Sequence, residues 1–196
     1  MAVKPILTSE HPILRQKAKK VKRVDASIQQ LIDDMFDSMH EAHGLGLAAP
    51  QIGVSLRVFV VEMPKDDTDD TVEAQPREKR RVRYSGERIV LINPEIIQST
   101  GEQIGEEGCL SIPGYVGIVR RAQQVVVKGL NRHGKEIKLT GEDLLARAFQ
   151  HEIDHLDGIL FTDRIEKPED LYRLTENGRV PAFQGDITRL QKPIKR

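Results

Sequence analysis

The segment Gln150-His151-Glu152-Ile153-Asp154-His155-Leu156-Asp157-Gly158 limits what this chain can fold into more than any other. It carries the pattern H-E-x-x-H. On an α-helix, residues four apart lie about 40° apart around the axis, one above the other. A helix there lets His151 and His155 offer two imidazole nitrogens to one metal ion, with Glu152 on the flank of that face, within reach of a water. The run before it agrees. Thr140-Gly141-Glu142-Asp143 has a T-x-x-D capping pattern, and no proline interrupts Thr140 to Gln150. Leu144, Ala148, His151 and His155 fall at i, i+4, i+7 and i+11, so the histidines continue an inward face. Leu145, Phe149, Ile153 and Leu156 add further apolar sides, which predicts a helix buried nearly all round. Polar groups buried on such a helix need a partner, and a metal ion supplies one.

Two histidines leave a third protein ligand to be found. The metzincin extension wants a histidine six residues after the second ligand, and Phe161 stands there instead. A downstream glutamate is one option: Glu166, Glu169 or Glu176, none of them in an obviously helical, apolar setting. The one thiol, Cys109, is another. A lone cysteine is commonly a small buried hydrophobe, but the surrounding Gly105-Glu106-Glu107-Gly108-Cys109-Leu110-Ser111-Ile112-Pro113-Gly114 reads as glycine and turn residues rather than core.

Length and charge narrow the class. A chain of 196 residues suffices for one domain with a real core. Lys and Arg number 30, as do Asp and Glu, and that balance gives no sign of a nucleic-acid or membrane-surface partner. One cysteine excludes an internal disulfide and fits a reducing compartment. The first twenty residues hold no apolar signal core and no run is long enough to span a bilayer, so a cytoplasmic location is expected.

Residues 1–24 read as a polar, basic lead-in with a short helical segment after His11-Pro12. From Ser27, Ile28, Leu31, Ile32, Met35, Phe36 and Met39 keep a helical period, with Gly44 as the C′ glycine. The stretch from Gly44 to Gly53 is too rich in Gly, Ala and Pro for a regular element; as a connector, its Gly44 and Gly46 let backbone pass close to a substrate. Strands are expected over 55–62, 88–98, 115–121, 123–130 and 136–139, with Asn131-Arg132-His133-Gly134 as a hairpin turn. Residues 64–88 hold an acidic then a basic cluster and read as an exposed insertion, with Tyr84 and Arg88 at its end near enough to reach substrate. After Arg164, Pro168, Gly178, Pro181, Gly185 and Pro193 predict a partly irregular tail over 166–196.

Three stretches together resemble the signature motifs of the peptide deformylase family, in the family's order: Gly44-Leu45-Gly46-Leu47-Ala48-Ala49-Pro50-Gln51, Glu107-Gly108-Cys109-Leu110-Ser111 and Gln150-His151-Glu152-Ile153-Asp154-His155. The similarity runs from about His11 to Ile165. It implies an α+β fold with antiparallel β-sheets packed around a central metal-binding helix and an N-terminal helix covering them, within a catalytic domain over 1–165. It also implies a function: removal of the formyl group from the N-terminal formylmethionine of new polypeptides, releasing formate. Cys109, His151 and His155 become the metal ligands, with ferrous iron as the ion in cells and zinc, nickel or cobalt able to replace it. Ligand chemistry alone favours zinc. Glu152 becomes general base and then acid. Gln51 and the Leu110 N–H hold the oxyanion. The peptide lies extended beside Leu45 and Gly46, with Leu144 and Ala148 as further pocket walls. The ribosome would be a transient partner; some members contact it through a C-terminal helix, but this tail departs from that pattern.

Two other classes fit the H-E-x-x-H helix alone. A zinc endopeptidase with a downstream glutamate ligand would cleave internal bonds without regard to a formyl group. A non-catalytic metal-binding module would have no use for Glu152 or Gln51.

Overall fold

The structure is a computed structural model, and it describes residues 2–65 and 84–191. Helix α1 spans Ala26–Glu41, capped by Asp25, whose side chain accepts from the N–H groups of Ser27 and Ile28. Strands follow: β1 Gly46–Ala48, β2 Val58–Pro64, β3 Tyr84–Thr100, β4 Gln103–Cys109, β5 Ile112–Arg121, β6 Gln124–Leu130 and β7 Glu136–Glu142. Helix α2 spans Asp143–Leu156, and β8 Leu171–Thr175, β9 Gly178–Pro181 and α3 Gln184–Leu190 complete the order. Two antiparallel sheets result, one ordered β1-β2-β3-β6-β7 and the other β4-β5-β8-β9.

Side-chain alternation along β2 explains how the two helices are placed. Val58 and Val60 pack with Ile32, Met35, Phe36 and Met39 of α1. Phe59 and Val61 point the other way and pack with Ala146, Phe149, Ile153 and Leu156 of α2. The five-stranded sheet is thus covered by α1 on one face and α2 on the other. A third cluster, with Ile112, Val119, Leu160, Phe161 and Leu171, fills the space under the four-stranded sheet. The α+β fold with α2 at its centre is as expected. Among the described residues no helix is long and apolar enough to cross a membrane.

Several local expectations differ. The left-handed residue after α1 is His43 (φ 55°), not Gly44, whose N–H bonds Met39 O at 2.9 Å. Gly44 has another reason to lack a side chain: a Cβ there would lie 2.6 Å from Leu110 Cδ1. Thr140 does not cap α2. It lies in β7, opposite Val126, and the chain turns into the helix at Asp143 through a φ of 50°. Burial of α2 also falls short at its start, where Leu144 is 45% exposed. The Gly105–Gly108 stretch is strand rather than turn, because its alternation pairs it with β5 up to Gly108↔Val116 before a bulge at Cys109.

The expected insertion over 64–88 falls largely on residues 66–83, outside the described ones. Its far end is already β3, and Arg88 is engaged away from the site, 3.3 Å from Glu62 and over the Phe36 ring. The segment after Ile165, read as a broken tail, instead holds β8, β9 and α3. Among the described residues the prolines and glycines of this segment sit at element boundaries: Gly178 (φ 108°) makes the β8–β9 turn, and Pro181 ends β9 on an edge.

Leu171 pairs with Gly117 and is fully buried. Leu171→Ala should therefore cost about 2–5 kcal/mol in urea unfolding, while Leu174→Ala, at a 49% exposed position, should stay within about 0.5 kcal/mol.

Candidate active site

Each side chain in the site is delivered by a different local device. Cys109 ends β4 and opens a tight turn through Leu110 and Ser111, closed by the Cys109↔Ile112 pair. His151 and His155 lie one turn apart on α2, their ring centroids 4.9 Å apart. The three ligand atoms lie within 4.8 Å of one another, with Cys109 Sγ 3.1 Å from His155 Nε2. The β4 bulge and the α2 spacing thus bring together residues more than forty positions apart.

The donor set fits a metal. One thiolate and two imidazoles suit zinc and the later first-row divalent ions, and three protein ligands are the number found in catalytic rather than structural sites. The local electrostatics agree. Burial holds His155 well below its ordinary value, so that ring is neutral and able to ligate. Burial pulls His151 in the same direction, but hydrogen bonds to Cys109 and Glu107 outweigh it and raise its value, favouring the protonated ring.

Glu107 is the residue that aims His151. Its Oε2 lies 2.9 Å from His151 Nδ1, which leaves Nε2 turned toward Cys109. Arg121 forks onto both oxygens at 2.8 and 2.9 Å, and Arg147 Nη1 reaches Oε1 at 2.8 Å. Burial raises this carboxyl, yet the hydrogen bonds from Arg121 and His151 overcome it and hold Glu107 well below the usual carboxylate range. It is therefore an anion that orients the ligand ring, an arrangement common behind metal-binding histidines. Arg121 is held in turn by Asp154 at 2.5 Å, and Arg164 closes the chain at 2.6 Å on the same carboxylate.

Glu152 is 4% exposed, and among the described residues its Oε2 is buried without a hydrogen-bond partner. Burial raises its carboxyl to about 7. The space it occupies exists because residue 46 is glycine: a Cβ there would lie 2.4 Å from Glu152 Oε1. Gln51 has its amide orientation set by Ala48, whose N–H donates to Oε1 at 2.8 Å. Its Nε2 therefore faces Ser111 Oγ at 3.2 Å and Cys109 Sγ at 3.7 Å.

These groups open onto a cavity of about 400 Å³ lined by Leu45, Gly46, Gln51, Leu110, Leu144 and Ala148 together with Cys109, His151 and Glu152. β1 forms an edge of its sheet. Leu45 O accepts from Glu62 N on β2 at 3.0 Å, so strand alternation turns the N–H and C=O of Gly46 to the free side. Of the residues singled out from the sequence, Leu45, Gly46, Gln51, Cys109, Leu110, Leu144, Ala148, His151 and Glu152 line this cavity and His155 lies against Cys109, whereas Arg88 turns to Glu62 and Phe36 instead. The downstream glutamates do not line it: Glu166 pairs with Arg120 at 3.0 Å, and Glu169 and Glu176 are exposed.

A sequence profile of the polypeptide deformylase family matches residues 3–170. The chain belongs to that family. A peptide deformylase of Thermomicrobium roseum is 50% identical over 85% of this chain and 88% of its own length. The crystal structure of a peptide deformylase from Legionella pneumophila is 48% identical, with a TM-score of 0.71 over 84% of this chain and 87% of that one. A Met-Ala-Ser-bound class I type b peptide deformylase of Acinetobacter baumannii is 36% identical, with a TM-score of 0.72 over 84% of this chain and 99% of that one. Deformylases are metal-dependent hydrolases, and the cluster of Cys109, His151 and His155 is the place in this chain suited to the ion.

Sequence reasoning did not find Glu107, Arg121, Arg147 or Asp154 as parts of the centre. A signal was available for three of them. Glu107 precedes Cys109 by two positions on one strand, and Arg147 and Asp154 lie at i−4 and i+3 from His151, on its face of the helix.

Because its hydrogen bonds to Cys109 and Glu107 favour the protonated form of His151, an ion loading the centre competes with that proton. Zinc affinity, measured by chelator competition, should rise with pH and be weaker at acid pH, where the proton competes. A pH-independent affinity would contradict that competition.

Proposed function

We propose that this chain takes the formyl group off N-terminal formylmethionine at the centre formed by Cys109, His151 and His155, with Glu152 carrying the proton. The observation that carries this reading is the meeting of those three donors with a buried carboxylate against Gly46, whose Oε2 has no hydrogen-bond partner among the described residues. Held there, a divalent ion supplies Lewis-acid charge that makes water nucleophilic near neutral pH and steadies negative charge on the formyl oxygen.

The chain's own residues supply the rest. Glu152 accepts a proton from the attacking water and passes it to the departing amine nitrogen, so formate and a free α-amine result. A carboxyl raised toward 7 by burial is matched to both halves of that task, because it gives a proton up nearly as readily as it takes one. Gln51 Nε2 and the Leu110 N–H are the donors for the oxyanion. The fixed Ala48–Gln51 bond supports this for Gln51, since a preset dipole needs no reorganisation during reaction. The peptide main chain extends along the free edge of β1 at Gly46, adding a strand to the sheet. Its methionine side chain enters the cavity between Leu45, Leu144 and Ala148. The Met-Ala-Ser complex of the Acinetobacter relative supports a peptide of this kind.

Ferrous iron is our reading for the ion in cells, on the family resemblance; zinc, nickel and cobalt suit the same thiolate and imidazoles. The cytoplasm is the expected site of action, since the substrates are nascent chains.

Glu152→Gln should bind zinc as tightly as the parent chain and release formate from formyl-Met-Ala-Ser about 10²- to 10⁴-fold more slowly. Cys109→Ala should lose tight zinc binding altogether. Full activity from Cys109→Ala would overturn the ligand assignment.

A further inference from the structure

We propose that Arg147 is a positioning residue for the metal centre, acting through Glu107 to set the orientation of His151. The inference rests on the reading of His151 as a ligand. Arg121 grips both oxygens of Glu107 in a fork, Nε on Oε1 and Nη2 on Oε2, and that fork alone does not choose which oxygen meets the His151 ring. What makes them different is the second donor on each: Arg147 Nη1 on Oε1 at 2.8 Å and His151 Nδ1 on Oε2 at 2.9 Å. With Oε1 taken by two guanidinium groups, Oε2 is the oxygen left for the imidazole.

Arg147 is itself immobilised. Its Nη1 also donates to Val119 O at 3.0 Å and Gly105 O at 3.4 Å, and its Nη2 to Gln103 Oε1 at 3.3 Å. The guanidinium lies flat against β4 because Gly105 has no Cβ, which would stand 3.1 Å from Nη2. Arg147 precedes His151 by one helical turn, so Glu107 bridges two residues on one face of α2. The spacing between α2 and β4, and with it the approach of the His151 ring to Cys109, is therefore set by the Arg147–Glu107–His151 chain. A different buried guanidinium provides the comparison. Arg57 holds the far end of α2, at Leu156 O (3.2 Å) and Asp157 (2.7 Å), and none of its hydrogen bonds goes to Glu107 or His151.

The test compares Arg147→Met, Arg147→Lys and Arg57→Met for zinc affinity by chelator competition, for urea stability without metal, and for the ¹⁵N resonances of the His151 ring. Arg147→Met should weaken zinc binding about tenfold, the lower end of what loss of an outer partner does, and shift the His151 resonances. Arg147→Lys, which keeps the charge but not the fork, should fall between it and the parent chain, and it carries the test if the methionine variant does not fold. Arg57→Met should lose stability and keep its zinc affinity. If Arg147 merely ties helix to sheet, its variants will lose stability with zinc affinity and ring resonances unchanged, and the proposal is overturned. It is equally overturned if Arg57→Met loses as much affinity. His151→Ala separates this from the ligand reading: unchanged zinc binding there defeats the reading itself, whereas lost binding there with intact binding in Arg147→Met defeats only the present inference.

Discussion

A carboxylate taken out of water can be kept charged only if nearly all its lone pairs are met, and the Glu107 anion is the point where this molecule meets that condition. Desolvating such a group costs several kcal/mol, which good geometry and full hydrogen bonding can offset. Here the donors come from β5 (Arg121) and from two turns of α2 (Arg147 and His151). Remove the anion and two buried guanidinium groups each lose a charged partner, and the His151 ring loses its tether. The four-stranded sheet and the helix are therefore joined by charge rather than by apolar packing.

That division makes sense of α2 as a whole. Its Ala146, Phe149, Ile153 and Leu156 side is apolar and rests on the five-stranded sheet. Its other side carries Arg147, His151, Asp154 and His155, all of which are usable only because β4 and β5 bring matching groups. A helix packed between two apolar surfaces could have been held as firmly, but it could not have brought two imidazoles and a carboxylate together beside Cys109.

What could be read from the sequence follows from which interactions are local. The H-E-x-x-H spacing, the apolar period of Ile28 to Met39 and the β-branched run at Val58 to Val61 are local patterns, and each named its element correctly. The three motifs likewise named residues that the fold brings together. The failures involve pairings with distant chain. β4 has two glycines and two glutamates in seven residues, a composition that suggests a turn until β5 is beside it. Leu171 to Pro181 reads as broken chain until the free side of β5 gives β8 a partner. Thr140 has the right pattern for a cap, but the β7 ladder claims its backbone first. The ion-pair network escaped notice because charges in sequence are ordinarily solvent-facing, and only the folded arrangement shows Arg121 and Glu107 removed from water.

Position 46 sits where two separate demands coincide. The missing side chain gives the Glu152 carboxylate its place, and the same bare backbone borders the open rim of β1. On the proposed function, peptide recognition and proton transfer therefore share one residue. Elsewhere on a binding surface, side chains can be exchanged to adjust what is held without disturbing the chemistry. On that reading this freedom is absent at Gly46, and ligand preference is adjusted at the surrounding walls instead.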